Sequence, residues 1–267
     1  MEHNRLDILL TQLGFVDSRT KAQSLIKSGS VYVDGILAEK PSAVFSSDAS
    51  IEIRGDQCPY VSRGGLKLEK ALADFGVDPT GMVCSDSGAS TGGFTDCLLQ
   101  QGAKKVFAID VGTDQLVPKI RNDPRVVVME QTNIRYVTPE DLGEKLDLSV
   151  VDVSFISLSL VLPAIRDLLK EDSGQVLCLI KPQFEAGKAA VGKKGVVRDP
   201  AVHKRVLDEF LSMAAQLDFT ILALTFSPVR GPEGNIEFLG HLTRKKQESK
   251  PIDTATLVRL AHHALKV

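Results

Sequence analysis

Asp86-Ser87-Gly88-Ala89-Ser90-Thr91-Gly92-Gly93-Phe94 is the stretch on which the reading of this chain turns. An apolar run ends there in an acid, turns through small residues, and opens into the helix-like segment Phe94-Thr95-Asp96-Cys97-Leu98-Leu99. Small residues let a ligand approach the backbone, and a helix start offers unpaired N–H groups. A second acid, Asp110, follows the apolar run Val106-Phe107-Ala108-Ile109. In a doubly wound sheet, an acid at the tip of the second strand holds ribose hydroxyls. The two features together read as a nucleoside-cofactor site. Gly88-x-Ser90-x-x-Gly93 lacks the middle glycine of G-x-G-x-x-G, which argues against a dinucleotide. The plain alternative is a strand–turn–helix whose glycines serve packing alone.

With 267 residues the chain accommodates one medium domain plus an appendage, and 43% hydrophobic residues support a true core. The net charge of −2 means that a polyanion site must come from local patches. Cys58, Cys84, Cys97 and Cys178 show no C-x-x-C spacing, which argues against zinc and suits a reducing cytosol. We therefore expect a cytoplasmic protein without a metal. No apolar run approaches the ~18 residues of a membrane span, and Met1-Glu2-His3-Asn4-Arg5 does not open a signal peptide.

The first sixty residues form a pattern of their own. Leu6, Leu9, Leu10 and Leu13 fall at helical spacing and Gly14 closes that helix. Ser18 is placed to cap a second helix carrying Ala22, Leu25 and Ile26, ended by Gly29. Val31-Tyr32-Val33 alternates as a strand before the turn signal Asp34-Gly35, and Ile51-Glu52-Ile53 is another short strand. Ser18-Arg19-x-x-Ala22-x-x-Leu25-Ile26-x-x-Gly29-x-Val31-x-Val33-Asp34-Gly35 resembles the S4-type RNA-binding domain, over about residues 5 to 53. The resemblance implies RNA contact, with Arg5, Arg19, Lys21, Lys27 and Lys40 as the cations for phosphates. Residues 1 to 60 hold six Lys and Arg against eight Asp and Glu, so such contact needs the cations on one face. A protein-binding or structural appendage is the alternative. We expect this domain over 1–57, a linker over 58–61 around Pro59, and a second domain over 62–267.

Beyond the linker, apolar runs near 82–86, 105–110, 126–129, 147–152, 175–180, 219–226 and 236–242 read as strands. Segments near 65–75, 93–101, 157–169, 199–216 and 253–265 read as helices. Such alternation predicts an α/β fold with a parallel sheet and helices on both faces. His203, His262 and His263 have no ligand-like companions and read as surface or packing residues.

Polar residues recur at strand ends. Ser62-Arg63-Gly64-Gly65-Leu66-Lys67 precedes the first strand; Asp152 ends Leu148-Ser149-Val150-Val151; Lys181 ends Val176-Leu177-Cys178-Leu179-Ile180; Glu237 sits in Gly234-Asn235-Ile236-Glu237-Phe238. The carboxyl ends of parallel strands form the ligand crevice, so Asp152 and Lys181 should share one cleft with Asp86 and Asp110. An ion-pair network that only stiffens the sheet edge is the alternative. Asp-x-Gly-x-Ser-x-Gly resembles the first motif of S-adenosylmethionine-dependent methyltransferases. Lys67, Asp152, Lys181 and Glu237 resemble the Lys-Asp-Lys-Glu tetrad of the FtsJ/RrmJ-type RNA 2′-O-ribose methyltransferases. An S4-type domain joined to that catalytic domain is the layout of the TlyA family, ribosomal RNA cytidine 2′-O-methyltransferases historically labelled hemolysins.

The resemblance implies a Rossmann-like class I methyltransferase with a small N-terminal α+β S4-type domain, S-adenosylmethionine as cofactor, and ribosomal RNA or ribosomal subunits as partner. It implies Lys181 as base or orienter of the hydroxyl, Asp152 as its positioner, Lys67 as holder of the ribose-phosphate, and Glu237 as a positioning acid. A lysine serves as a base when its pKa falls far below its free value of about 10.4, which burial and a second cation favour. Asp86, Gly88, Ser90, Gly92, Gly93 and Phe94 would form the cofactor loop, with Asp110 on the ribose and Asn133 near the adenine. Arg63 and the basic, glycine-rich segment with Lys188, Lys193, Lys194 and Arg198 would meet RNA. An RNA-binding module with an inactive catalytic domain and a membrane-active hemolysin-like protein are the competing readings.

Overall fold

The chain divides into two units, Met1–Gln57 and Cys58–Val267. The computed structural model describes residues 3–27, 30–38, 40–53, 58–192, 195–231 and 234–265, with the backbone alone at Ser24 and Lys27. In the first unit, β1 (His3–Arg5) leads into α1 (Leu6–Gln12) and α2 (Arg19–Lys27). There follow β2 (Val31–Val33), β3 (Ile36–Leu37), β4 (Val44–Ser46) and β5 (Ile51–Ile53). Leu6, Leu9 and Leu10 share one buried helix face, and Leu6 and Leu10 pack with Ala22, Ile26, Val31 and Val33. Leu13, expected on that face, lies past the end of α1 and is 51% exposed. Ser18 Oγ accepts from the Lys21 N–H at 3.3 Å, as a helix cap does. Asp34 and Gly35 both take positive φ, the twist a two-residue hairpin requires between β2 and β3. Gly29, read as the end of α2, lies outside the described residues.

The second unit begins with residues 58–61, which pack as part of it: Tyr60 is buried in its core and the Val61 N–H donates to Asp96 Oδ2 at 2.8 Å. Its elements are α3 (Gly64–Phe75), β6 (Val83–Ser87), α4 (Gly93–Gln100), β7 (Lys105–Ile109), α5 (Pro118–Arg121), β8 (Val126–Met129), α6 (Pro139–Leu142) and β9 (Leu148–Val151). Then come α7 (Leu162–Leu168), β10 (Gln175–Ile180), α8 (Pro182–Glu185), α9 (Pro200–Gln216), β11 (Thr220–Phe226), β12 (Phe238–Thr243) and α10 (Thr254–Ala264). Seven strands form one sheet in the order β11-β12-β10-β9-β6-β7-β8. The sheet is mixed rather than parallel throughout: β12 runs antiparallel to both β10 and β11. The reason is the connection, since no helix is described between β11 and β12 to carry the chain back across the sheet.

Along β10 the period of two sends Val176, Cys178 and Ile180 into the core beneath α7, α9 and α10, and Leu177 and Leu179 into the core beneath α3 and α4. Burial on both faces explains why the central strands are unbroken apolar runs. The helix expected over 157–169 is instead a 3-10 turn at Leu158–Leu160 followed by α7. Pro163 sits in the first turn of α7, where its missing N–H costs nothing, and forbids a helix running through it. His203 is fully buried, its Nδ1 2.9 Å from His262 Nε2. Among the described residues no helix is long and apolar enough to cross a membrane.

Backbone bonds lock the ends of the central strands together. The Gly88 N–H donates to Ile109 O, and the Asp152 N–H to Ser87 O, both at 2.9 Å. Gly88 has φ +88°, and a Cβ there would lie 2.5 Å from the Asp152 carbonyl oxygen. Gly88→Ala therefore combines an unfavourable φ with a backbone clash, an expected loss of about 2 to 4 kcal/mol. Thermal denaturation of the full chain checks this; an unchanged melting temperature would show that the two loops are not in contact.

Candidate active site

Two cavities meet at the carboxyl ends of β6 and β9, and Gly88, Ser90 and Asp152 line both. The first, about 320 Å³, is walled by Arg63, Gly64 and Lys67 from the start of α3, by Gly93 and Phe94 from α4, and by Val229, Arg230 and Gly231. The second, about 450 Å³, is walled by Ile109, Asp110, Val111, Thr132, Asn133, Ile134 and the segment 152–156.

Two ion pairs stand at the first cavity, the Lys67–Glu237 pair buried and the Lys181–Asp152 pair partly so. Lys67 Nζ lies 2.6 Å from Glu237 Oε2, and Lys181 Nζ lies 2.6 Å from Asp152 Oδ1. In each pair one member reaches the cavity wall, Lys67 or Asp152, and the other stands behind it. Glu237 is completely buried under Gly231, where any Cβ would collide with its carboxylate. Gln183 Nε2 approaches the other Glu237 oxygen at 3.4 Å. Lys181 donates to Ser154 Oγ at 2.9 Å, while its approach to Asp152 Oδ1 does not have hydrogen-bond angles. The cleft thus shows a cation and a carboxylate to an incoming group, each backed by an opposite charge.

The loop after β6 is shaped by its acids. Asp110 Oδ2 accepts from the Ser90 N–H at 2.8 Å and Oδ1 from the Gly112 N–H at 2.7 Å, which fixes Ser90 at φ +47°. Asp86 is fully buried; Thr95 donates to its Oδ2 at 2.7 Å, while Asp86 Oδ1 and Ser87 Oγ have no hydrogen-bond partner. Burial, with smaller contributions from Asp152 and Asp110, pushes the Asp86 carboxyl up to about 7 against the Thr95 bond. Gly92 precedes α4 and is backed by Leu116 and Ile120; neither it nor Asp86 reaches a cavity wall. Asn133 lines the second cavity and caps a 3-10 turn, its Oδ1 accepting from the Arg135 N–H at 3.1 Å.

The segments after β9 and β10 are tied a second time by Glu185. It accepts from Ser157 Oγ at 2.6 Å and from the Leu158 N–H at 2.9 Å, and burial raises its pKa despite both bonds. Between these ties Phe155 sits at φ +63°, 91% exposed, its ring 5.1 Å from that of Phe184. A bulky residue in the left-handed region is strained, and strain of this kind gathers at functional sites. Phe155, Ser154, Gln183, Glu185 and Arg230 were not singled out in the sequence. The strand-end segments Asp152–Phe155 and Lys181–Glu185 hold four of the five, but a sequence does not show which side chains turn outward.

Of the cations expected to meet RNA, Arg63 lines the first cavity and Lys188 and Arg198 are exposed. In the first unit Arg5 and Arg19 converge on Asp7, Lys21 pairs with Asp17 at 2.7 Å, and Lys40 is exposed. The Lys27 side chain, Lys193 and Lys194 lie outside the described residues.

A family model for FtsJ-like methyltransferases matches residues 60–244, and one for S4 domains matches residues 4–48. The chain is 42% identical to the Mycobacterium tuberculosis protein named 16S/23S rRNA (cytidine-2′-O)-methyltransferase TlyA, over 98% of this chain and 97% of the relative. The chain belongs to the TlyA family of FtsJ-like methyltransferases. A Campylobacter jejuni relative named 23S rRNA (cytidine-2′-O)-methyltransferase TlyA is 34% identical over 84% of this chain and 81% of its own length. A solved Streptococcus thermophilus structure carrying a hemolysin name superposes with a TM-score of 0.79 at 44% identity, covering all of this chain and 98% of the other. The expected Rossmann-like methyltransferase fold with an N-terminal S4 domain is therefore found.

The raised pKa of Asp86 has a consequence for stability. Its cost is absent below the free carboxyl pKa of about 4, grows as pH rises to about 7, and is constant above that. Asp86→Asn removes the cost, so its stability relative to the native chain should improve between pH 4 and pH 8, by up to about 4 kcal/mol. Denaturation at the two pH values checks this; a difference independent of pH would mean that Asp86 is ionised throughout.

Proposed function

We propose that this TlyA-family enzyme methylates the ribose 2′-oxygen of cytidine in ribosomal RNA, with S-adenosylmethionine as donor. The observation that carries the reading is the shared wall: Gly88, Ser90 and Asp152 border both a nucleoside-sized cavity and a second one equipped with Lys67. The residues suit such a cofactor. Ile109, Val111, Ile134 and Val153 offer apolar walls to a purine, Asp110 stands at the β7 tip for ribose hydroxyls, and Asp110 and Asp152, which both line the cavity, complement a cation. When bound, the cofactor supplies a methyl carbon on a positively charged sulfur.

A ribose hydroxyl is a weak nucleophile, so the chain's task is alignment and proton removal. We assign Lys67 to holding the acceptor ribose-phosphate, with Glu237 fixing the direction of its Nζ. Asp152 faces the hydroxyl, and the Asp152–Lys181 pair would orient it and take up its proton as the oxygen accepts the methyl group that the bound cofactor would supply. Ser154 keeps Lys181 in register with Asp152. Phe155, strained and outward, is a platform on which the base of the target nucleotide stacks. We assign phosphate contacts to Arg63 at the cavity wall and to the exposed Lys188 and Arg198, with Lys193 and Lys194 kept in that role on the sequence alone, and the S4 domain supplies a second RNA contact.

The relatives' names differ in whether small-subunit RNA is included, so both subunits belong in the test. Labelled S-adenosylmethionine is incubated with the chain and ribosomal subunits lacking the modification. The expected result is label at a cytidine 2′-oxygen, shown by resistance of the adjoining phosphodiester to alkali. Label on a base, or none in either subunit or free ribosomal RNA while the cofactor binds, would contradict the reading.

A further inference from the structure

In the first unit, Asp7 is fully buried near the start of α1. Its carboxylate accepts from Arg5 Nε on Oδ1 and from Arg5 Nη2 on Oδ2, both at 3.0 Å. Oδ2 also accepts from Arg19 Nη2 at 3.0 Å and from Gln23 Nε2 at 2.9 Å. The Arg5 bond foremost, helped by Gln23 and Arg19, holds its carboxyl well below the usual carboxylate range against the opposing effect of burial. A buried carboxylate ringed by donors is not what core stability calls for, since apolar residues of similar volume do as well or better.

What the arrangement does is fix two arginines. Arg5 comes from β1 and Arg19 from the first position of α2, and one carboxylate brings them together across the unit. The two side chains remain 43% and 55% exposed. A guanidinium has five N–H donors in a rigid plane; Arg5 spends two on Asp7 and Arg19 spends one. The rest belong to a cluster with one net positive charge and little rotamer freedom left to lose. That is the chemistry of a phosphate clamp, in which planar donors meet non-bridging oxygens.

We propose that Asp7 presets Arg5 and Arg19 as one fork for a phosphodiester of the RNA backbone, which makes Asp7 a positioning residue for substrate docking. This rests on the RNA reading above. It also makes a prediction opposite to charge counting. Removing a carboxylate beside a polyanion should tighten binding if electrostatics alone acts; loss of the preset fork weakens it.

The test is fluorescence anisotropy of the full chain with labelled, unmodified ribosomal RNA transcribed in vitro, across a series of KCl concentrations. Asp7→Asn should bind about tenfold more weakly, with a salt slope shallower by about one phosphate contact. Arg19→Lys keeps the charge but not the planar fork, and should also weaken binding. Melting curves and cofactor binding report whether each variant is folded. Asp7→Asn binding as tightly as the native chain, or more tightly, overturns the proposal. If Asp7→Asn does not fold, Arg19→Lys decides, and unchanged affinity there overturns it. A native chain without salt-dependent RNA affinity would instead remove the RNA reading, and this proposal with it.

Discussion

The contact between Gly88 and the Asp152 carbonyl sets the geometry of the whole site. It follows from the parallel register of β6 and β9, in which Ser87 faces Val151, so the residues just beyond each strand must meet. A side chain at position 88 would push the two loops apart. With glycine there, the loop after β6 and the loop that carries Asp152 share one wall between the two cavities. The distance between the two cavities, the proposed donor and acceptor sites, is thereby held by backbone rather than by side-chain rotamers, and a transfer between two bound molecules needs that precision.

The buried charges extend the same logic. Lys67 with Glu237 and Lys181 with Asp152 come from four separate segments, each at or beside the carboxyl edge of the sheet. Withdrawing ions from water costs several kcal/mol each, and an ion pair recovers that only with good geometry. Two such pairs side by side are a poor way to stabilise a sheet edge and a good way to fix the direction of a cation and a carboxylate. Glu185 and Gly231 serve the arrangement from outside, the first by tying the segment after β9 to α8, the second by closing over Glu237.

Much of this was legible in the residues. The small-residue loop after β6, the acid at the tip of β7 and the polar ends of β9 and β10 are local signals, and strand topology brings them together without long-range information. The pairing was less legible: Lys67 and Glu237 are 170 residues apart, and only the fold shows that they meet rather than both attending Lys181. The antiparallel β12 escaped the reading because strand patterns carry no direction. The 157–169 segment was misread because its apolar spacing is helical on both sides of Pro163. Phe155 escaped because an exposed phenylalanine and a buried one look alike in sequence. In the S4 domain no sequence signal marks Asp7, and only its four donors show what it holds.

The central claim is that the Asp152–Lys181 pair acts on the acceptor hydroxyl and is not merely structural. The most direct test is single-turnover methyl transfer to ribosomal RNA by Lys181→Ala, with cofactor affinity and RNA affinity measured on the same preparation. The account predicts a fall of about 100-fold or more in the transfer rate, the range of acid–base contributions, with both affinities within a few-fold of the native chain. A transfer rate close to native would contradict it. So would a loss explained entirely by failure to bind either partner.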